Sequence, residues 1–220
     1  MFIGHFAVAF AYKRAAPRTS LATLVAAAQL LDLLWPILVL LGVETLRIEP
    51  GPNPFLHLRF LHYPWTHSLL MSIAWGVAFA LLYRAKTGYA RGAILVGLLV
   101  VSHWVLDWVT HRPDLQLAPW SDTRVGLGLW MSPVATVAVE TAMFAAGIAL
   151  YVRARPARDR AGVWGLWSFV ALLVIVYAAS ILGGTPPGPE AVAASALIIW
   201  ALLPWIAWFD RHRGGAESRA

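Results

Sequence analysis

Six long apolar segments constrain what this chain can fold into more than any other feature. They are residues 20–43, 66–84, 91–110, 130–152, 163–183 and 190–209. A helix needs about 20 apolar residues to cross the hydrocarbon core of a bilayer, and each segment comes close to that length. The whole chain is 60% hydrophobic and only 13% charged, which is typical of an integral membrane protein. We therefore predict an all-α fold, a polytopic membrane bundle of about six transmembrane helices.

The N-terminal segment, residues 1–12, is also apolar but too short to cross the bilayer. As a helix it would reach about 18 Å. Lys13 and Arg14 follow it, whereas a signal peptide has its positive charge before the apolar stretch. We predict a retained, half-inserted helix that packs against the bundle and carries His5 into protein or lipid.

Basic residues collect in alternate connections and so predict the orientation. Thirteen of the 17 lysines and arginines lie on one side. The other side holds Arg47, Arg59, Arg112 and Arg124. The positive-inside rule therefore places residues 44–65, 111–129 and 183–189 on the extracytoplasmic face of a bacterial inner membrane, with the C-terminus in the cytoplasm. We expect one integral membrane domain, residues 1–210, followed by a polar cytoplasmic tail, residues 211–220.

The composition excludes several kinds of site and partner. The chain has no cysteine, so a metal would have to be held by His, Asp or Glu. It has no phosphate-binding glycine loop and no GxSxG motif of a serine hydrolase. Its net charge of +6 fits a cytoplasmic rim that faces anionic lipid, not a nucleic-acid surface. The expected partner is membrane lipid, as environment and as substrate; the oligomeric state stays open.

Ionisable residues inside the apolar segments are the main functional signal. His103, Asp107 and His111 follow each other at four-residue spacing, which places them on one helical face. Asp32 and Glu140 each lie about 15 Å from the outer end of their segments. A charged side chain near the bilayer centre costs roughly 3 kcal/mol, so such residues need a metal, a counter-charge or a water-filled cavity.

Five of these side chains form a candidate metal site. The proposed ligands are His5, Asp32, His67, His103 and Asp107. A His and Asp set without sulfur suits zinc, manganese or iron, and helical bundles often build metal centres from facing helices. Thr66, Ser68 and His111 are candidate hydrogen-bond partners of the ligands, although hydroxyl residues at a helix start are ordinarily caps.

Four motifs carry a resemblance to a known family. They are GHFAVAFA from Gly4, AQLLDLLWP from Ala28, HYPWTHSLL from His62 and SHWVLDWVTHRPD from Ser102. Together they resemble the YdjM-like family of predicted membrane-bound metal-dependent hydrolases, over roughly the first half of the chain. The resemblance implies functional roles for six residues, namely His5, Asp32, His67, His103, Asp107 and Glu140.

The chain departs from the family pattern at the first acidic position. Many members carry Pro-Asp-x-Asp-His there, whereas this chain has only Asp32, within LDLLW. The order of acidic and histidine residues also looks like that of zinc-dependent phospholipase C. That analogy favours phosphoester chemistry.

The predicted function is a membrane-embedded metal-dependent hydrolase that acts on a lipid-linked ester or phosphoester near the extracytoplasmic leaflet. A divalent metal, with zinc expected and manganese or iron as alternatives, would lower the pKa of a coordinated water to about 7. Glu140 or Asp32 would act as base or additional ligand. Two alternatives remain: a permease whose buried acids relay protons, which broken helices would favour, and a non-catalytic scaffold.

Overall fold

The computed structural model describes residues 1–214 and consists mainly of helices, which make up 68% of those residues. The helices are α1 (Ile3–Tyr12), α2 (Leu21–Ala28), α3 (Leu30–Leu40), α4 (Pro64–His67), α5 (Leu69–Thr87), α6 (Ala90–Thr110), α7 (Pro133–Ala154), α8 (Arg160–Leu182), α9 (Pro189–Ala196) and α10 (Ile198–Arg211). Two antiparallel hairpins pair β1 (Thr45–Ile48) with β2 (Leu58–His62), and β3 (Leu115–Gln116) with β4 (Arg124–Val125). The predicted helical membrane fold is confirmed.

Within residues 1–214, five helices are long and apolar enough to span a membrane. They are α5, α6, α7, α8 and the 23-residue pair of α9 and α10. Large apolar side chains on these helices face outward: Leu82 is 65% exposed and Ile94 64% exposed. Such a surface suits hydrocarbon because helices satisfy their own backbone hydrogen bonds. Helices α2 and α3 pass the same test only together and are bent by 54°, the geometry of a broken span or of a re-entrant loop, so the first predicted segment, expected to be continuous, is broken.

The break in this span lies at Gln29, between α2 and α3. The carbonyl of Ala28, the last residue of α2, accepts a hydrogen bond from His103 Nδ1 at 2.7 Å. A side chain that inserts into the backbone hydrogen-bond ladder is an established cause of helix kinks. Because α3 starts anew at Leu30, Asp32 lies in the first turn of a helix, where a negative charge is favourable.

The short helix α1 lies inside the bundle, packed against α2, α6 and α7. Its residues Ile3, Phe6 and Phe10 are at most 2% exposed. Helix α7 approaches it closely because residue 147 is glycine: a Cβ atom there would lie 2.4 Å from the Ala7 carbonyl oxygen. The expected packing of the N-terminal segment against the bundle is therefore present, and it carries His5 into the interior.

A buried ion pair fixes the opposite end of α1. Lys13 Nζ lies 3.1 Å from Asp210 Oδ2, and the Tyr151 hydroxyl donates to Asp210 Oδ1 at 2.9 Å. These contacts join α1 to α7 and α10. The beginning of the predicted tail packs here as well, since Arg213 is 3% exposed and donates to the Gly162 carbonyl. Residues 215–220 of that tail lie outside the described residues.

Candidate metal centre

Four predicted ligands meet from three parts of the fold. His103 and Asp107 lie one turn apart on α6 and are 0% and 2% exposed. His67 is the last residue of α4, and Asp32 lies in the first turn of α3. The two helix breaks, at Gln29 and between α4 and α5, bring the Asp32 and His67 side chains towards the same face of α6.

The ligand atoms lie at distances that suit a metal ion. His103 Nε2 is 3.1 Å from Asp107 Oδ2 and 3.8 Å from Asp32 Oδ2. His67 Nε2 is 3.5 Å from Asp32 Oδ1 and 3.7 Å from Asp107 Oδ2. Four ligands placed tetrahedrally at the usual zinc bond lengths lie about 3.4 Å from one another. Only a small inward movement would therefore close this set around one ion.

The orientation of His103 leaves one ring nitrogen free. Its Nδ1 donates to the Ala28 carbonyl, so the neutral ring carries a lone pair on Nε2. That atom is buried and makes no hydrogen bond with any described residue, although Asp107 Oδ2 lies 3.1 Å away. Two electron-rich atoms at this distance repel unless a proton or a metal ion lies between them. His103 Nε2 is therefore placed to pair with Asp107 when protonated, or to bind a metal as a ligand held by a backbone carbonyl.

A hydrogen-bonded chain orients His67 in the same way. His67 Nδ1 lies 2.7 Å from Thr66 Oγ1, and the Thr66 hydroxyl donates to Glu44 Oε2 at 2.7 Å. The Thr66 amide also donates to Glu44 Oε1 at 2.9 Å. Because the hydroxyl proton points to Glu44, the Thr66 oxygen accepts from His67 Nδ1 and leaves His67 Nε2 free. The predicted pairing of Thr66 with a ligand is thus present in the geometry.

Glu44 is a member of this arrangement that the sequence analysis missed. It is only 1% exposed, although it lies just beyond the first span. Burial raises the pKa of the Glu44 carboxyl, while nearby His67 and the hydrogen bonds from Thr66 act in the opposite direction. The signal that could have found Glu44 is weak: an acidic residue directly after an apolar segment usually indicates a loop.

His5 approaches Asp107 from the other side. Its Nε2 lies 3.1 Å from Asp107 Oδ1, and its ring stacks on His103 with 3.7 Å between the ring centres. The amino group of Met1 lies 2.6 Å from the same Asp107 oxygen. Asp107 Oδ1 is therefore held by α1, while Oδ2 faces His67 and His103.

The buried groups can hold a metal ion in two overlapping ways. One set is His5, His103 and Asp107; the other is Asp32, His67 and His103. Asp107 Oδ1 already accepts from His5 and from Met1, whereas Asp107 Oδ2 faces the two histidines of the second set and adds a fourth ligand to it. All five predicted ligands are therefore brought together within the residues described.

A comparison with known protein families identifies the family of this chain. The model of the YdjM inner membrane protein family matches residues 1–183. The chain belongs to the YdjM family. The match extends well past the half of the chain that carries the motifs, and it encloses every residue of the candidate centre. Searches of curated proteins and of solved structures give no match. With its spanning helices, this YdjM family member is an integral inner membrane protein.

Glu140 of this YdjM family member lies beside the ligand sets but belongs to neither. Its Oε2 accepts hydrogen bonds from the amides of Phe2 at 2.9 Å and Gly4 at 3.2 Å, at the start of α1. Its other oxygen, Oε1, is buried and has no hydrogen-bond partner among the described residues. Glu140 lines the same cavity as Asp32 and Asp107. Glu140 Oε2 thus anchors α1, and Glu140 Oε1 is left without a hydrogen-bond partner among the described residues.

Ser68 and His111, the two other predicted partners, lie apart from the ligand atoms. Ser68 Oγ accepts from the Met71 amide and so caps α5. His111 Nδ1 lies 2.9 Å from Asp114 Oδ1, and its ring centre lies 4.2 Å from that of Trp130. His111 lines the cavity, whereas Ser68 caps the start of α5.

The centre opens into two connected cavities. The first has a volume of about 340 Å³ and is lined by Asp32, His67, Asp107 and Glu140 among others. The second, of about 490 Å³, is almost wholly apolar and runs along α8 and α10. Six residues line both: Phe2, Asp32, Trp35, Val176, Ser195 and Ala196. An apolar groove therefore leads from the membrane-spanning helices to the polar cluster.

Proposed function

We propose that this protein is a metal-dependent hydrolase that acts within the membrane on a lipid-linked ester or phosphoester near the extracytoplasmic leaflet. The observation that carries the proposal is the convergence of His67 and His103 on the same two carboxylates, Asp32 and Asp107, beside a cavity. Placing this many ionisable groups together inside a membrane protein is costly unless they pair with one another or hold a metal.

The donor set favours zinc, with manganese or iron as alternatives. Imidazole and carboxylate ligands without sulfur suit all three metals, and distances between 3.1 and 3.8 Å suit a small coordination sphere. A bound divalent cation would polarise the scissile oxygen and activate water. Glu140 offers a free carboxylate oxygen across the cavity and is the candidate general base. Asp32 serves as a ligand or as a second base at the cavity wall.

The apolar groove supports a lipid substrate. It shares the Asp32 wall of the metal-centre cavity and continues between Leu172, Ile199 and Leu202 of the spanning helices. Cavities of a few hundred cubic ångströms with apolar walls and a few convergent polar groups are typical ligand sites. A hydrocarbon chain in this groove would present the adjoining ester group to the ligand cluster.

One observation favours the permease alternative, namely the broken span of α2 and α3. Transporters often place broken helices at their binding sites. Here, however, the Ala28 carbonyl at the break is bonded to His103, which gives the break a role in orienting a ligand. The hydrolase remains the better-supported proposal.

The test is metal analysis of the full chain purified in detergent, followed by hydrolysis assays on phospholipid and polyprenyl-phosphate panels. Wild type is expected to retain close to one equivalent of metal, and His103→Ala and Asp107→Ala to lose it together. His62→Ala is the matched control, because His62 is an exposed strand residue outside the cluster. Metal-free wild type with unchanged melting in the presence of a chelator would contradict the proposal.

A further inference from the structure

Three of the four arginines on the predicted outer side line one cleft. Arg59, Arg112 and Arg124 surround a cavity of about 350 Å³ together with Phe60, Leu61, Pro113 and Asp114. Arg59 lies on β2, Arg112 follows α6, and Arg124 lies on β4. Two hairpins and a helix end thus converge to build one basic surface, here called the arginine cleft.

The positive charge around the arginine cleft exceeds the negative charge. Glu49 contacts three guanidinium groups: Arg59 at 2.8 Å, and Arg47 and Arg112 at 3.6 Å. Asp114 Oδ2 lies 3.5 Å from Arg112 Nε. Arg124 has no carboxylate in contact within the described residues. Four arginines therefore share two carboxylates, which leaves two positive charges unbalanced.

The guanidinium groups also keep unused hydrogen-bond donors. Each carries five N–H groups, but the hydrogen bonds within residues 1–214 use only one per side chain that lines the cleft. Arg59 donates to Glu49, Arg112 to the Leu58 carbonyl and Arg124 to the Asp114 carbonyl. Guanidinium groups with free, paired donors suit the oxygens of a phosphate.

The pairing of two arginines across the β1–β2 hairpin is a second argument for an anion in the arginine cleft. Arg47 and Arg59 are directly opposite each other across β1 and β2. Like charges at opposed strand positions are destabilising, so the pairing costs stability that only Glu49 offsets. A bound anion in the cleft would give this concentration of charge a function.

The arginine cleft adjoins the metal-centre cavity. Phe60 lines both cavities. Asp114, a wall of the cleft, is bonded to His111 and accepts from the Tyr63 hydroxyl at 2.9 Å. The arginine cleft and the apolar groove thus both adjoin the cavity of the candidate metal centre.

We infer that the arginine cleft binds the phosphate of an anionic lipid headgroup, so that the substrate is a phospholipid with net negative charge. That the bound lipid is the substrate rests on the proposed function. The binding itself does not require hydrolysis.

The experiment measures lipid binding to the full chain in neutral detergent by native mass spectrometry. Wild type is expected to prefer phosphatidylglycerol over phosphatidylcholine by about tenfold, because both carry the same phosphodiester but the choline cation would meet the two unbalanced arginine charges. In Arg124→Gln and in Arg59→Gln this preference should fall to about threefold or less. Arg124→Gln leaves no carboxylate unpaired, so it is the variant least expected to disturb folding.

Arg47→Gln is the matched control, since Arg47 shares Glu49 but does not line the cleft. The preference of Arg47→Gln for phosphatidylglycerol should stay within twofold of that of wild type. If this preference falls equally in Arg47→Gln and Arg59→Gln, the cause is general charge attraction and the inference is overturned. Millimolar inorganic phosphate should leave the preference intact. Loss of the preference in its presence would mean that the cleft takes free phosphate instead.

Metal content and hydrolysis are measured on the same samples to separate the two proposals. A metal-free, inactive protein that still prefers phosphatidylglycerol would refute the hydrolase and retain the cleft. A metal-loaded, active protein without any headgroup preference would refute the cleft alone. Melting temperatures within a few degrees of wild type establish that each variant is folded.

Discussion

Replacing Thr66 by Val tests whether the hydrogen-bonded chain behind His67 holds a metal ligand. The Thr66 side chain is fully buried, accepts from His67 Nδ1 and donates to Glu44, both at 2.7 Å. Valine has nearly the same shape but replaces the hydroxyl with a methyl group. The change therefore removes both hydrogen bonds and leaves the backbone bond from residue 66 to Glu44 in place.

The expected losses of metal affinity and of stability follow from the hydrogen bonds that His67 and Glu44 lose. Loss of a hydrogen-bond partner behind a metal-bound histidine typically weakens metal affinity by about 10- to 100-fold, or about 1.4 to 2.7 kcal/mol. The same change leaves His67 Nδ1 and one Glu44 oxygen buried without a partner. That desolvation is expected to lower the free energy of unfolding by about 1 to 3 kcal/mol. Thr66→Ser keeps the hydroxyl and should therefore keep most of the metal affinity and most of the stability.

The assay is competition for the bound metal with a chelator of known affinity, together with a melting curve of the metal-free protein. Ser68→Ala is the matched control, because it removes the cap of α5 next to His67 without touching a ligand. It should cost about 1 kcal/mol of stability and leave metal affinity within twofold. Equal metal affinity in Thr66→Val and Ser68→Ala would refute the reasoning.

Two further predictions test Glu140 as the general base and the orientation of the chain in the membrane. Glu140→Gln keeps the amide contacts to α1 but removes the anion, so hydrolysis should fall about 100-fold at an unchanged melting temperature; activity within a few-fold of wild type would remove Glu140 from the chemistry. Cysteines at exposed Thr123 and Thr185 should react with impermeant reagents from outside, and one at Ala157 should not. Reversed labelling would place the centre at the cytoplasmic leaflet.

The spanning helices could be predicted because lipid imposes a simple rule on sequence. A backbone surrounded by hydrocarbon must satisfy its own hydrogen bonds, so a long apolar segment has to be helical. The predicted segment 91–110 accordingly differs from α6, Ala90–Thr110, by one residue at its start. The ligand residues stood out for a related reason: ionisable side chains in such segments are costly and therefore conspicuous.

Tertiary contacts explain what the sequence did not reveal. The break at Gln29 depends on His103, 74 positions further along the chain, and no proline or glycine marks it. Glu44 is buried because Thr66 provides two hydrogen bonds, and no local pattern predicts that partner. Both features depend on side chains that meet only in the folded bundle, where local propensity carries no information.

The break between α2 and α3 bears on the choice between a hydrolase and a transporter. In transporters, carbonyls freed by a helix break are left open to coordinate the transported ion. In this protein the Ala28 carbonyl is occupied by His103 Nδ1, and the consequence of that bond is a fixed His103 ring with Nε2 directed at Asp107. A carbonyl oxygen has two lone pairs, and this hydrogen bond uses one of them to support the His103 ring. A fixed His103 ring is what the proposed hydrolytic centre requires, whereas a transport site requires the carbonyl itself to face the ion.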